Sequence, residues 1–296
     1  MVVNYDDVLA AFVRMSQEAA ELWVPSRVAV VDVADFDAIR FLRDYVALNV
    51  PVVVRGGCRH WPAFTKWSRE YLCSTVGDSP ITVALTPDGR GDRIVDDRFV
   101  QPLERTMTLS SLWTMLAERR PVPYAQKQCD SLRDEFALLL DDISEPDLAK
   151  TAFGAAPDAI NLWIGDDRAV SSTHADPYEN LYAVVRGRKH FTLLPPTDAP
   201  YLYRRRCRQG RYDQRPDGGF EIQDLDKGEV PWVQVDVEEG DLLYLPSFWY
   251  HQVRQTAGMD GATIAVNFWY DVRFDARFSW LKFQEELLEQ ISSSNC

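Results

Sequence analysis

Residues 171–196 read SSTHADPYENLYAVVRGRKHFTLLPP and place two potential metal ligands, His174 and Asp176, just before two apolar runs. In an extended chain, residues two positions apart project to the same side. The imidazole and the carboxylate can therefore share one ion. An isolated His-x-Asp pair is a weak signal, because a surface histidine near an aspartate is common.

A third potential ligand follows downstream. The chain has four histidines, and His251 comes after GDLLYLPSFWY, in which Pro246 breaks an apolar run. Two histidines and one carboxylate occupy one face of an octahedron and leave three positions open, which suits non-haem iron(II) that activates dioxygen. We expect His174, Asp176 and His251, here called the metal triad, to meet at the rim of a barrel.

Short apolar runs separated by turns surround these ligands. From about residue 158 they are AINLWIG, ENLYAVV, KHFTLLP, WVQVDV, DLLYLP and ATIAVNFWY. Closely spaced runs of this kind predict an antiparallel sandwich or barrel. The polar residues 197–230 form an insertion that is too long for a hairpin turn, and we expect it to lie over one mouth of the barrel.

Both ends of the chain carry helical patterns. Apolar residues recur at helical spacing over residues 5–22 and again over residues 278–291. Between the first of these and the barrel, strand-like runs at 27–32 and 51–55 enclose a helical pattern at 37–47. The two terminal stripes either pack on the chain's own barrel or cover each other in a homodimer.

Composition narrows the classes of function. A chain of 296 residues with 46% hydrophobic content can bury one large core. It has neither the run of roughly 20 apolar residues that a membrane helix needs nor a secretory leader pattern, so we expect no membrane insertion or export. The net charge of −13 disfavours direct nucleic-acid binding and favours a basic protein partner. Five scattered cysteines predict a reducing cytoplasm or nucleus.

Several segments resemble the jumonji-C family of the cupin superfamily. They are PVVVRGGCRHWPAFTKW at 51–67, the stretch 171–196, GDLLYLPSFWYHQV and IAVNFWYD. TPDG at 86–89 and YAQKQC at 124–129 are most similar to the bifunctional peptidase and (3S)-lysyl hydroxylase subgroup. The resemblance implies a mainly β fold with flanking helices, whose core is a double-stranded β-helix, a cupin-like jelly roll, over residues 121–275. Residues 1–120 are then a mixed α/β flank that packs on the barrel, and 276–296 a closing helix.

The same resemblance implies roles for single residues. The metal triad matches the iron ligands, and Lys189 matches the lysine that pairs with the distal carboxylate of the cosubstrate 2-oxoglutarate. Tyr124 and Ser171 match hydroxyl donors to that carboxylate, although the family often has threonine where Ser171 stands. Asn180 and Asn267 match amides near the metal-side end of the cosubstrate. Trp269 is expected to shape the pocket.

The pattern around Lys189 also indicates its orientation. Lys189 alternates with the apolar Phe191 and Leu193, which predicts that it points inward. A buried lysine needs an anion, whereas a solvated strand-end lysine, the usual case, needs none. His190 then faces the other way, and we interpret it as a packed or surface histidine and not as a ligand.

The function implied by the resemblance is hydroxylation of a lysine side chain at carbon three in a target protein, using iron(II), 2-oxoglutarate and dioxygen. The family's substrates include translation-linked GTP-binding proteins. Its small members often dimerise through helices outside the barrel, so the resemblance implies a homodimer assembled through the terminal helices. The alternatives are histone lysine demethylation, a peptidase acting on methylated histone tails, and a catalytically silent cupin-like binding module. Demethylation is disfavoured because the sequence has no zinc modules of the kind that read chromatin. A peptidase is disfavoured because no nucleophile with a placed base is found. A silent binding module would not need the full set of site residues that this chain keeps.

A lysyl ammonium that enters the pocket needs a carboxylate or an aromatic partner. Asp166, Asp167 and Glu179 lie close in sequence to the ligand-bearing stretch. Acids of this kind are more often solvated, and the sequence singles out none of the three as that partner.

Overall fold

The computed structural model describes residues 5–95, 98–202, 208–212, 215, 217–219 and 233–293. Of the polar insertion, it describes a 3₁₀ turn at Pro196–Tyr201 and a strand at Arg208–Arg211. Most of the rest of the insertion, including most of the basic cluster at 204–208, lies outside the described residues. Its expected position over the barrel mouth stays a prediction.

The described elements follow the predicted pattern from residue 158 onward and add several shorter ones before it. Strands β1 to β15 cover, in chain order, Ala29–Asp32, Val52–Arg55, Pro80–Thr86, Arg93–Val95, Arg98–Gln101, Leu103–Thr108, Val122–Ala125, Ala159–Gly165, Tyr178–Arg186, Arg188–Leu194, Arg208–Arg211, Val233–Val237, Leu242–Leu245, Tyr250–Thr256 and Thr263–Asp271. Helices α1 to α8 cover Tyr5–Leu22, Ala38–Phe41, Pro62–Lys66, Arg69–Val76, Leu109–Glu118, Ser131–Asp134, Asp147–Phe153 and Ala276–Ser293. None of these helices is long and apolar enough to cross a membrane within the described ranges.

Two facing sheets form the barrel. Among the described residues, the large sheet has the strand order β1-β2-β13-β9-β15-β8-β7-β3-β6, and the small sheet has the order β12-β10-β14. An apolar cluster that includes Val184, Phe191 and Leu243 lies between them. The molecule is therefore a double-stranded β-helix with flanking helices, and the predicted fold class is confirmed.

Strand β9 shows how one sequence builds two cores. Leu181, Ala183 and Val185 belong to the cluster that the helices cover, whereas Tyr182 and Val184 belong to the cluster inside the barrel. Side chains alternate between the two faces of a strand, so a strand that is apolar at every position must be covered on both faces. Each large apolar side chain buried in this way contributes about 1.5–3 kcal/mol to stability.

The flank is hydrogen-bonded to the barrel and does not only pack on it. Strand β2 pairs with β13 on one side of the large sheet, and β3 pairs with β7 on the other. Strands on both sides of residue 120 therefore belong to one continuous sheet. The loops between β3 and β8 are held at the end of the barrel by this pairing.

The terminal helices match the predicted ranges and divide their apolar residues between two environments. On α1, Phe12 and Ala19 are 8% and 5% exposed, so one face packs on the chain itself. Leu22, Trp280 and Phe283 remain 80%, 53% and 53% exposed. Intramolecular packing thus accounts for only part of the two stripes.

We propose that the exposed apolar residues of α8 contact a second copy of the chain. Replacing both Trp280 and Phe283 by glutamate should then give a folded monomer, because two carboxylates cannot be buried in an apolar contact without large cost. Light scattering measures the mass, and circular dichroism checks the fold. Lys282→Glu changes the charge of the same helix by the same amount without removing apolar surface, and it should stay dimeric. Wild-type protein that scatters as a monomer at micromolar concentration contradicts the proposal.

Candidate functional site

The segment between β8 and β9 runs beside the start of β14 and brings the metal triad together. His174 and His251 exchange two backbone hydrogen bonds, with N···O distances of 3.1 and 2.8 Å, and the Asp176 carbonyl accepts from the Phe248 amide at 2.9 Å. The Nε2 atoms of His174 and His251 lie 3.8 and 3.7 Å from Oδ2 of Asp176. Ligands that each lie about 2.1 Å from one ion are at most roughly 4.2 Å apart, so these three side chains fit a shared metal.

The outer nitrogens of both imidazoles are anchored to the backbone. Nδ1 of His174 lies 2.8 Å from the Ser172 carbonyl, and Nδ1 of His251 lies 3.0 Å from the Trp249 carbonyl. A carbonyl only accepts, so Nδ1 carries the proton and Nε2 keeps its lone pair for a metal. Burial, with a contribution from the neighbouring His174, lowers the pKa of His251 to about 3, which keeps the His251 imidazole in the neutral ligating form. Burial also raises the pKa of Asp176, and a bound cation would oppose that effect.

A buried carboxylate fixes the turn that precedes His251. Glu179 accepts hydrogen bonds from the Tyr244 hydroxyl at 2.6 Å, the Ser247 hydroxyl at 3.0 Å and the Ser247 amide at 3.3 Å. Phe248, next along the turn, has a left-handed backbone with φ of 65°. The residues of β13 that lead into this turn are therefore held against β9, which also follows the first two ligands.

Two of the three acids near the ligand-bearing stretch are buried, contrary to the usual solvated state of such residues. Glu179 is 7% exposed and bonded as described, and Asp166 is 3% exposed. The Arg168 Nε atom lies 3.0 and 2.9 Å from the two carboxylate oxygens of Asp166. Charged partners and multiple donors offset the cost of burying these carboxylates. Asp167 is exposed.

Lys189 lines a cavity of about 300 Å³ that also contains the metal triad. It is 1% exposed, and its Nζ atom contacts the Tyr124 hydroxyl at 3.1 Å and the Gln255 side-chain oxygen. Its amine also lies 5.4 and 5.9 Å from the ring centres of Tyr124 and Tyr182. No acidic side chain among the described residues pairs with it, and burial lowers its pKa to about 7. A buried ammonium in this state is a binding site for an anion.

Hydroxyl groups of three predicted or neighbouring residues line the same cavity. The hydroxyls of Tyr124 and Tyr182 are hydrogen-bonded to each other, and burial raises the pKa of both, so the phenols stay protonated. The Ser171 hydroxyl accepts from the Val253 amide at 2.9 Å, which leaves its own proton to donate. Tyr124 thus contacts the predicted lysine and Ser171 lines the same cavity, and both offer hydroxyl groups suited to a carboxylate.

Two residues of this cavity were missed by the sequence analysis. Tyr182 lies two positions after Asn180 on β9, and Gln255 lies four positions after His251 on β14. Each therefore shares the inward face of its strand with a predicted site residue. The alternation of side chains between the two faces of a strand was the signal that could have found them.

A chain of side-chain hydrogen bonds holds the predicted amides. Trp163 donates to the Asn267 oxygen at 2.8 Å, and Asn267 donates to the Asn180 oxygen at 3.1 Å. This order leaves the Asn180 Nδ2 group as a donor for a ligand. Trp269 lines the cavity as expected, and it stacks on Tyr178 with ring centres 4.8 Å apart.

His190 lies outside this arrangement, as predicted. Its Nδ1 atom lies 2.6 Å from an Asp236 oxygen, and its Nε2 atom lies 2.8 Å from the Thr256 hydroxyl, on the outer face of the small sheet.

Comparison with known proteins agrees with the fold and the site. The family described as Cupin-like domain matches residues 38–276. The human bifunctional peptidase and (3S)-lysyl hydroxylase JMJD7 is 39% identical, over 91% of this chain and 92% of the human protein. This chain belongs to the cupin-like jumonji-C family. It is also 35% identical to lysine-specific demethylase JMJ32 of Arabidopsis thaliana, over 95% of this chain and 94% of the plant protein. JmjC domain-containing protein E of Dictyostelium discoideum is 31% identical, over 99% of this chain and 97% of that protein.

Jumonji-C proteins are oxygenases that use iron(II) and 2-oxoglutarate, and the residues of this cavity fit both groups. The metal triad supplies two neutral imidazoles and one carboxylate, the donor set of non-haem iron oxygenases. Lys189 lacks the anion that a distal carboxylate provides. His251 and Gln255, which mark the two ends of the site on β14, are four residues apart, or roughly 13 Å along the strand. That separation leaves room for a five-carbon dicarboxylate between the inward side chains.

Removing the triad carboxylate should abolish turnover and leave the fold nearly intact. In Asp176→Ala we expect succinate formation to fall at least about 100-fold, because the loss of a ligand weakens metal binding more than the loss of an outer partner does. Asp167→Ala, which removes an exposed carboxylate nearby, should behave as wild type. Thermal melts check folding, and wild-type succinate production by the Asp176 variant would disprove the metal assignment.

Replacing the buried Lys189 should weaken cosubstrate binding without lowering the stability of the cosubstrate-free fold. Lys189→Met should weaken 2-oxoglutarate binding about 10- to 100-fold, because a charge-assisted pair is lost. The same variant should be no less stable than wild type without cosubstrate, since it replaces an uncompensated buried cation by an apolar side chain. Titration with 2-oxoglutarate and urea unfolding measure the two effects. Lys127→Met, at a half-buried lysine paired with Asp134 and Glu135, should leave the titration unchanged.

The pH dependence of stability provides a separate check on Lys189. Unfolded lysine has a pKa near 10.4, whereas burial lowers the pKa of Lys189 to about 7. Between these values the unfolded chain binds more protons than the folded chain, so folding stability rises with pH. Between about pH 7 and about pH 9.5, cofactor-free wild type should therefore gain stability relative to Lys189→Met. The free energies of unfolding of the two proteins are measured with urea at both pH values. A difference between them that is the same at both pH values would contradict this prediction.

Proposed function

We propose that this protein hydroxylates a lysine side chain at carbon three in a target protein, with translation-linked GTP-binding proteins as the class of target. The buried, unpaired Lys189 in the same cavity as the metal triad carries the oxygenase part of the proposal. The 39% identity to a human (3S)-lysyl hydroxylase supports the lysyl part. The net charge of −13 favours a basic target, and we place the protein in the cytoplasm or nucleus.

In this reaction the residues of the protein bind and orient the reactants. When bound, iron(II) and 2-oxoglutarate activate dioxygen, so that one oxygen atom enters a substrate C–H bond while the other converts 2-oxoglutarate to succinate and carbon dioxide. His174, Asp176 and His251 would hold the metal and leave coordination positions free for other ligands. Lys189, Tyr124 and Ser171 would bind the distal carboxylate of 2-oxoglutarate, and Asn180 would donate near its metal-side end. The aromatic walls exclude water, and no side chain needs to act as a general base.

Lysine demethylation is the second candidate, and the 35% identity to lysine-specific demethylase JMJ32 favours it. It would use the same cavity and differ in presenting an N-methyl carbon to the metal. The peptidase activity in the name of the human relative has less support from this cavity. There the Ser171 hydroxyl contacts a backbone amide, and the triad imidazoles use their Nδ1 atoms for backbone carbonyls.

Intact-mass analysis separates these activities. Peptides containing one lysine, unmethylated or methylated, would be incubated with the protein, iron(II), 2-oxoglutarate and oxygen. We expect the unmethylated peptides to gain the mass of one oxygen atom, with the hydroxyl located at carbon three by magnetic resonance. The same peptides with arginine in place of lysine, and the Asp176→Ala protein, are the controls. Loss of a methylene from methylated peptides, with no oxygen gain in the others, would show a demethylase instead.

A further inference from the structure

A carboxylate in the wall of the cavity is left unexplained by the metal and cosubstrate sites. Asp92 lines the same cavity as His174 and Lys189. It precedes β4 and has a left-handed backbone, with φ of 52°. Aspartate tolerates this conformation better than most residues, so the backbone alone identifies no function.

The described residues offer Asp92 neither a hydrogen bond nor an ion pair. The neighbouring Arg93 directs its guanidinium to Asp88, at 2.7 Å. Burial raises the pKa of Asp92, the nearby His174 opposes that rise, and the negative charge of Glu104 adds to it. A partly buried carboxylate beside a second acid, with no ion pair of its own among the described residues, attracts a cationic ligand.

The other acids around the cavity are already engaged. Arg168 binds Asp166, the turn before His251 binds Glu179, and Asp176 belongs to the metal triad. Among the described residues, Asp92 is the carboxylate that lines the cavity and remains available to an incoming group.

We propose that Asp92 binds the ammonium of the substrate lysine and makes the site selective for a cationic side chain. The inference rests on the proposed lysyl hydroxylation and adds the residue that recognises the charge. In an extended lysine the nitrogen lies four bonds beyond carbon three, roughly 5 Å away. Its partner must therefore lie in the cavity wall and not at the metal. Phe99 lines the same cavity, where the methylene stem of a lysine can pack.

The test compares a charged and an uncharged substrate in matched variants. The lysine peptide that wild type hydroxylates fastest and its norleucine analogue, which lacks only the ammonium, are assayed with wild type, Asp92→Asn and Asp167→Asn. We expect Asp92→Asn to raise KM for the lysine peptide about 10- to 100-fold and to leave KM for the norleucine peptide nearly unchanged. Asp167→Asn, which removes an exposed carboxylate, should match wild type for both peptides. Anaerobic peptide binding, followed by tryptophan fluorescence, should show the same ratios.

The outcomes distinguish this proposal from the proposed function. If wild type hydroxylates the lysine and norleucine peptides equally well, lysyl hydroxylation stands and charge recognition by Asp92 is wrong. An Asp92→Asn protein that loses activity on both peptides alike assigns the residue a structural role and also overturns the proposal. Partial recovery of the lysine preference in Asp92→Glu supports it. If wild type modifies no lysine peptide, both proposals fail.

Discussion

Lys189 is an ammonium buried among neutral groups, and the rest of the site is arranged around that charge. Tyr124, Tyr182 and Gln255 offer dipoles and ring faces but no countercharge. Burying an uncompensated ion costs several kcal/mol, which only a fold with ample apolar burial can offset. The apolar clusters on the two faces of β9 provide that burial. A dianion held between Lys189 and a metal compensates the charge, so cosubstrate binding also stabilises the fold.

Alternation along strands made much of this predictable. Lys189 was placed inward because it shares parity with Phe191 and Leu193, and the spacing of His174 and Asp176 predicted a shared ion. The strands after residue 158 were predictable because each is an apolar run with turn residues at its ends. Tyr182 was hidden inside such a run, where a buried tyrosine with a functional hydroxyl resembles any core aromatic. Its role depends on β7 delivering Tyr124 beside it, which is tertiary information.

The region between residues 56 and 157 was not predictable in the same way. Its helices and strands are short, and their order in the sheet depends on pairing between distant segments. Gly89 illustrates the constraint. It has φ of +88°, and a side chain there would place Cβ 1.9 Å from the Arg168 carbonyl oxygen. Its own carbonyl accepts from the Val170 amide at 2.9 Å. Only glycine allows this approach, which holds the turn containing Asp92 against the segment that leads to His174.

Hydroxylases and demethylases of this family share the metal and the cosubstrate, so the cavity wall must determine which carbon is oxidised. A demethylase must present a carbon bonded to the nitrogen, which places the nitrogen close to the metal. A hydroxylase acting at carbon three must hold the nitrogen four bonds from the oxidised carbon, which is three bonds further than in a demethylase. An anion in the wall, separate from the triad, fixes the nitrogen at a distance and presents the carbons nearer the backbone. A methylated ammonium held by Asp92 would keep its methyl groups at the carboxylate and away from the metal. Binding of the ammonium by Asp92, as proposed above, would therefore favour hydroxylation over demethylation in this chain.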